Sequence, residues 1–254
     1  MNHHKYILSI AGHDPSGGAG ITSDIKTFEA HGLYGLSVCT AITIQHDSDF
    51  KHCIWMDTEI ILAQIAILFE RFTIDTVKIG VVESWQSLLR ILEKLHSIKP
   101  SIKVVLDPIF KASAGFDFHS EEDQNNLDEI LKHCYIITPN YDEIKSLYPN
   151  LDYEETLQYI KKFTNIYLKG GHRLDKKGWD ELHPTNQQTY HFPPITASIS
   201  EKHGSGCVLS SALASNIRLG HTLQTASDKA KRYTEQFLNS HPSLLGVHNK
   251  IEII

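Results

Sequence analysis

Short apolar runs alternate along the chain with longer segments whose apolar residues recur at helical spacing, and this alternation sets the order of elements. Tyr6 to Ala11 reads as a first strand. After a glycine-rich turn, Ile21, Ile25, Phe28 and Glu29 continue at helical spacing to a stop at His31-Gly32. Leu36 to Ile44 is rich in β-branched residues, which favours a second strand, and its end is polar at Gln45-His46-Asp47. Asp57 is placed to cap a helix running to Phe72, where Ile60, Ile61, Ile65 and Leu68 form a wide apolar stripe. Thr76 to Gly80 reads as a short strand, and Ser84 caps a helix through Leu95. Lys103 to Leu106, Tyr135 to Thr138 and Asn165 to Leu168 repeat the strand pattern. From Gly178 to Phe192 the apolar positions Trp179, Leu182, Tyr190 and Phe192 are broken by Pro184-Thr185-Asn186, the pattern of an antiparallel hairpin. Helices over Cys207 to Arg218 and Leu223 to Leu238 close the chain.

Strands separated by helices predict stacked βαβ units, hence an α/β fold with a mostly parallel sheet flanked by helices in three layers and a small β-hairpin extension. At 254 residues, 41% of them hydrophobic and 21% charged, one domain spanning 1–254 is the expectation. In each unit a polar or glycine residue follows the strand at once: Asp107-Pro108, Pro139-Asn140, Lys169-Gly170-Gly171. Open α/β sheets put their ligands there.

A formal charge of -6 and the lack of a basic stripe argue against nucleic-acid binding. The one dense cationic stretch, Lys229-Ala230-Lys231-Arg232, reads as a solvated helix face. Cys39, Cys53, Cys134 and Cys207 form no C-x-x-C pair, so neither a zinc knuckle nor a dithiol centre is expected, and a reducing cytoplasm is the expected home. The apolar run ending at Gly12 is too short for a membrane span. The sixteen histidines lack the i, i+4 spacing of a helical metal site.

The strongest chemical signal is His203-Gly204-Ser205-Gly206-Cys207 ahead of a helical run. Glycines at a helix mouth let backbone N–H groups converge on an anion, and the helix dipole adds positive charge there. It is not a P-loop, because Gly12-x4-Gly17 continues into Gly18-Ala19 where Lys-Ser/Thr would be needed. A thiol in the first helical turn is expected to have its pKa lowered, which would make Cys207 a base beside an anion hole. Asp107 and Glu143, the latter spaced Asn140-x-x-Glu143, are candidate carboxylates for Mg2+ held through water, with Lys169 beside them. Taken singly, Asp before Pro is turn chemistry and Glu143 a first-turn helix charge.

Gly12-His13-Asp14-Pro15-Ser16-Gly17-Gly18-Ala19-Gly20, followed by Asp24-Ile25-Lys26-Thr27-Phe28, is similar to the opening signature of the hydroxymethylpyrimidine and phosphomethylpyrimidine kinases of thiamin biosynthesis. The resemblance continues through Gln45, Lys78-Ile79-Gly80, Leu106-Asp107-Pro108, Thr138-Pro139-Asn140, Leu168-Lys169-Gly170-Gly171-His172 and the Gly204 to Cys207 loop. It implies a ribokinase-like fold and ATP-dependent phosphorylation of the hydroxymethyl group of 4-amino-5-hydroxymethyl-2-methylpyrimidine, and of its monophosphate. By the same resemblance, Gly12, Asp14, Ala19, Gln45 and Val81 would line the substrate pocket. Asn140, Lys169 and His203 would face ATP, and Asp107 and Glu143 would serve Mg2+. Cys207 would take the hydroxyl proton while the Gly204, Ser205, Gly206 and Cys207 amides neutralise the transferring phosphoryl. The expected partners are the pyrimidine, ATP and a second copy in a homodimer, with a monovalent cation left open.

The sequence departs from the family pattern at His13, Val81, Phe110 to Phe118, Glu201-Lys202 and Val208. His13 and Val81 flank the expected substrate pocket, so a pyridoxal or pyridoxine kinase on the same fold stays open, as does a non-catalytic ligand-binding paralogue.

Overall fold

The computed structural model describes residues 5–109, 126–171, 176–196 and 200–250. The departure at Phe110 to Phe118, and His172 of the Lys-Gly-Gly-His motif, lie outside them. Six parallel strands form the middle of one sheet: β1 (Tyr6–His13), β2 (Tyr34–His46), β4 (Ile74–Ile79), β5 (Lys103–Leu106), β6 (Ile136–Ile137) and β7 (Asn165–Leu168). With β3 (Asp49–Trp55) antiparallel on one edge and the hairpin β8 (Asp180–His183) and β9 (Tyr190–Phe192) on the other, the order is β3-β2-β1-β4-β5-β6-β7-β8-β9.

Neighbouring residues in each strand point to opposite faces, and the central strands are apolar on both. Leu8, Val104, Ile137 and Ile166 join a core with α2 (Thr58–Arg71), α3 (Trp85–Ile98), α4 (Leu127–His133), α5 (Tyr141–Leu147) and α6 (Tyr153–Ile160). Their neighbours Ile7, Val105, Ile136 and Tyr167 join a second core with α1 (Gly20–Ala30), α7 (Ser205–Leu219) and α8 (Leu223–Leu238). The result is three layers.

Both expected caps are present: Asp57 accepts from the Glu59 N–H and Ser84 from the Ser87 N–H. Lys103–Leu106, Asn165–Leu168 and Leu223–Leu238 match their expected bounds, and β2 runs further than Leu36 to Ile44 at both ends. The pattern did not reveal β3, whose apolar residues Phe50, Cys53, Ile54 and Trp55 do not alternate with polar ones, nor the extents of α4, α5 and α6, each of eight residues or fewer.

One reading of the surface is corrected. Lys231 is buried rather than solvated: its Nζ lies 2.7 Å from the Gly178 carbonyl oxygen, 3.3 Å from Asp180 Oδ2 and 3.1 Å from Glu235 Oε1. Asp180 also accepts from Tyr167 Oη and the Gly170 N–H, and Glu235 from the Ile195 and Thr196 N–H groups, so this cation ties the hairpin and the following loop to α8. The helical spacing could not show this, because the carboxylate of Asp180 arrives from another element. Lys231→Ala is expected to lower the free energy of unfolding by about 3 kcal/mol or more in urea titration, since two buried carboxylates lose their counterion. A loss below about 1 kcal/mol would mean that the network does not hold these elements together.

Candidate active site

The carboxyl ends of the parallel strands open into a cavity of about 730 Å3. One wall comes from the first third of the chain. Gly12 lies next to the end of β1, Gln45 stands half-buried near the end of β2, and Gly80 and Val81 follow β4. Thr40 Oγ1 donates to the Val81 carbonyl at 2.7 Å and Thr43 Oγ1 to the His13 carbonyl at 2.8 Å, pinning both turns to β2. Ala19 N-caps α1, so its backbone sits on the same wall. The wall offers small residues, one amide and backbone groups, which suits a flat heteroaromatic ring that a Gln amide can read as both donor and acceptor.

The opposite wall is the mouth of α7. Gly204 is its N-cap at φ +72, a conformation open to glycine, and a Cβ there would lie 2.0 Å from the Gly18 carbonyl oxygen. The loop therefore rests directly on the turn that follows β1. Ser205 opens the helix, and the first-turn N–H groups, those of Gly206 and Cys207 among them, have no acceptor within it. They face the cavity with the positive end of a 15-residue helix behind them.

Cys207 is buried at this mouth, and its thiol corrects the sequence expectation. Burial pushes it up to about 11, and neither the Lys78 ammonium nor the Gly20 N–H offsets this; the nearby Asp24 and Asp107 carboxylates push the same way. A helix N-terminus lowers a thiol pKa where water also reaches it, and water is largely kept from this one.

Asp14 is the one expected pocket residue whose side chain turns away from the cavity. Its carboxylate accepts from the Ser16 N–H and Oγ, from the Ala19 N–H at 2.8 Å, and faces His203 Nε2 at 2.9 Å. Burial works against the charge, but these hydrogen bonds outweigh it and hold the carboxyl down at about 2. With its lone pairs occupied, Asp14 clasps the β1–α1 turn to His203. His203 itself reaches the cavity wall.

A charged cluster lines the cavity beyond the ends of β5, β6 and β7. Lys169, which follows β7, is 2.8 Å from Asp107 Oδ1 and 3.5 Å from Glu143 Oε2. Asp107 also accepts from Thr138 Oγ1 and, through Oδ2, from Ser210 Oγ on α7. Burial would pull the Lys169 ammonium down, and Asp107 and Glu143 more than reverse that. Glu143 is raised by burial despite Lys169. Asn140 and Glu143 form a capping box at the start of α5: the Asn140 side chain accepts from the Glu143 N–H, and Glu143 accepts from the Asn140 N–H. The first-turn role of Glu143 and its place in the cavity coexist. The cation standing between the two carboxylates is Lys169.

Two residues with no role in the sequence reading join the site. Lys78 is fully buried in β4 and also lines the cavity, and Asp24 of α1 is its partner. A lysine inside the apolar strand Val77-Lys78-Ile79 was the available signal, since a buried lysine needs a carboxylate. Nothing local named Asp24. At the far end of the cavity stand Asp180, Lys231 and Glu235, the network that holds the hairpin.

The family described as phosphomethylpyrimidine kinase matches residues 14–252. The hydroxymethylpyrimidine/phosphomethylpyrimidine kinase of Aquifex aeolicus is 34% identical over 245 residues, covering 92% of this chain and 94% of the relative. The crystal structure of the phosphomethylpyrimidine kinase of Clostridium difficile is 33% identical, with a TM-score of 0.75 over 90% of this chain and 97% of that one. The pyridoxal kinase of Staphylococcus aureus in complex with ADP superposes with a TM-score of 0.84 over 100% of this chain and 96% of that one. At 22% identity, that likeness concerns the fold.

Gly204→Ala forces a Cβ against a backbone carbonyl and strains a left-handed residue, so nucleotide binding measured by calorimetry is expected to weaken about tenfold or more. Unchanged affinity would show that the loop can rest elsewhere.

Proposed function

We propose, from the fact that this chain belongs to the phosphomethylpyrimidine kinase family, that it transfers a phosphoryl group from ATP to the hydroxymethyl group of 4-amino-5-hydroxymethyl-2-methylpyrimidine, and then to that product's phosphate, in thiamin biosynthesis. The observation that supports this reading most is the shared cavity: Gln45 and the first-turn amides of α7 line one cleft, with Lys169 beside Gly206 at the helix mouth.

In this reading Gln45 and the backbone at Gly12 and Ala19 hold the ring, with Val81 packed beside it. The Gly204 to Cys207 amides and Lys169 gather the phosphoryl oxygens, and His203 and Asn140 border the nucleotide. The alcohol oxygen bonds to the γ-phosphorus as the bond from that phosphorus to the bridging oxygen breaks. ADP leaves with the bond's electron pair, and the hydroxyl proton passes to the Cys207 sulfur. Phosphoryl transfer has a loose transition state in which positioning and charge neutralisation carry most of the work, so a thiolate present as a minor fraction suffices.

Mg2+ accompanying the nucleotide would supply charge neutralisation on the phosphates, and Asp107 and Glu143 would be the carboxylates to hold it through water. Because Lys169 already bonds Asp107, Glu143 is the carboxylate better placed to reach the ion through water. Donors of this hard oxygen type fit it. Two further readings accompany the activity. The four free cysteines suit a reducing cytoplasm, and among the described residues no helix is long and apolar enough to cross a membrane. A homodimer would cover the exposed Ile42, Ile44 and Ile54 of the β2–β3 edge.

Turnover with Mg-ATP is expected to favour the pyrimidine over pyridoxal in kcat/KM, and the reverse ratio would reassign the chain to pyridoxal phosphorylation. Cys207→Ala should lower kcat by about 10²-fold or more with pyrimidine affinity retained; a fully active variant would make the thiol structural. With the thiol pushed up to about 11, kcat should climb with pH from neutrality into the alkaline range, because the unprotonated sulfur is the active form. A profile flat from pH 7 upward would assign the proton to another acceptor.

A further inference from the structure

Lys78 and Asp24 form an ion pair from which water is excluded entirely: both side chains have zero exposure, and Lys78 Nζ lies 3.0 Å and 2.9 Å from the two Asp24 oxygens. Asp24 is further fixed by the hydroxyls of Ser9 at 2.6 Å and Ser211 at 2.7 Å, so four donors converge on one carboxylate. Stability does not call for such a pair, since a well-packed apolar pair of similar volume would serve as well or better. Its placement points to another use. Ser211 lies one turn beyond Cys207 on α7 and so on the same helix face, which puts the Asp24 end of the pair under the thiol. Lys78 reaches the cavity floor, where a Cβ on Gly80 would lie 3.0 Å from its Nζ. An ammonium has three N–H bonds, and two suffice for the Asp24 oxygens.

We propose that Lys78, locked in place by Asp24, is the positioning residue that turns a fixed positive charge toward the Cys207 sulfur and so makes this thiol usable as a proton acceptor. Of the charges facing Cys207, Lys78 from β4 draws the thiol toward its anion, while Asp24 from α1 and Asp107 beyond β5 oppose it more weakly. Lys169 beyond β7 also faces the sulfur and is held by Asp107 and Glu143. The Gly20 N–H adds a hydrogen bond to it. Cys134, as buried as Cys207 but with no cation near, is driven higher still by burial. Burial pulls the Lys78 ammonium down and Asp24 more than reverses that, so the carboxylate helps keep the cation charged as well as fixed.

The inference rests on the kinase reading for its purpose, but its test does not need turnover. The rate of Cys207 alkylation by iodoacetamide is followed against pH by peptide mass spectrometry in the full chain. In Lys78→Met, with folding verified by circular dichroism and ADP binding, the alkylation midpoint is expected to move up by about one pH unit or more, roughly a tenfold slower reaction below it. The alkaline rise of kcat should move with it, while KM for ATP stays put. Lys78→Gln keeps a hydrogen bond to Asp24 without the charge and is expected to give the same shift; it replaces Lys78→Met should that variant not fold. An unchanged alkylation profile in either folded variant overturns the proposal, as does a shift seen on Lys169→Met and absent on loss of Lys78. A shifted profile in a protein that does not phosphorylate the pyrimidine would keep this inference and remove the substrate reading.

Discussion

The Gly18 carbonyl oxygen lies where any side chain on Gly204 would have to go, and the function of the cavity depends on that contact. It brings the turn after the first strand against the mouth of a helix that begins almost two hundred residues later. Asp14 and His203, 189 residues apart, bond across the same seam. A ring held on one wall and a phosphate held on the other are thereby kept at a set separation, which is the main requirement for transferring a phosphoryl group between them.

Charge is handled in the same way throughout the site: each buried ion is surrounded by fixed partners. Asp14 takes its turn's N–H groups and His203, Asp24 takes Lys78 and two hydroxyls, and Asp107 takes Lys169, Thr138 and Ser210. Partners fixed in advance need no reorganisation when a phosphoryl group arrives, which is how a dry site stabilises developing charge. The same dryness raises the Cys207 thiol above its ordinary range, and the Lys78 ammonium and the Gly20 N–H work against that rise.

Legibility followed the range of the interactions. The glycine loop before α7, the strand-end positions of Asp107 and Lys169, and the caps at Asp57 and Ser84 depend on a few consecutive residues, and each was readable along the chain. The short helices α4 to α6 have too few turns to show a period, although the boxes Asn140-x-x-Glu143 and Asp152-x-x-Glu155 stand at the starts of α5 and α6. Lys78 was visible as an odd lysine in an apolar strand; its partner was not. Lys231 lies on a helix face that spacing alone presents as solvated, and Asp180, to which it bonds, comes from β8.

The sequence by itself determined the alternation of the longer strands and helices, the helix mouth suited to an anion, and, through motifs that resemble one kinase family, the class of reaction. These depend on backbone preferences and on spacing along the chain. Only the tertiary structure decided which ions are paired, that Asp14 closes its own turn, that Lys169 stands between Asp107 and Glu143, and that the Cys207 thiol is held above its ordinary range. The reason is physical: desolvation and Coulomb attraction act through space, and their strength is set by residues that folding brings together from distant parts of the chain.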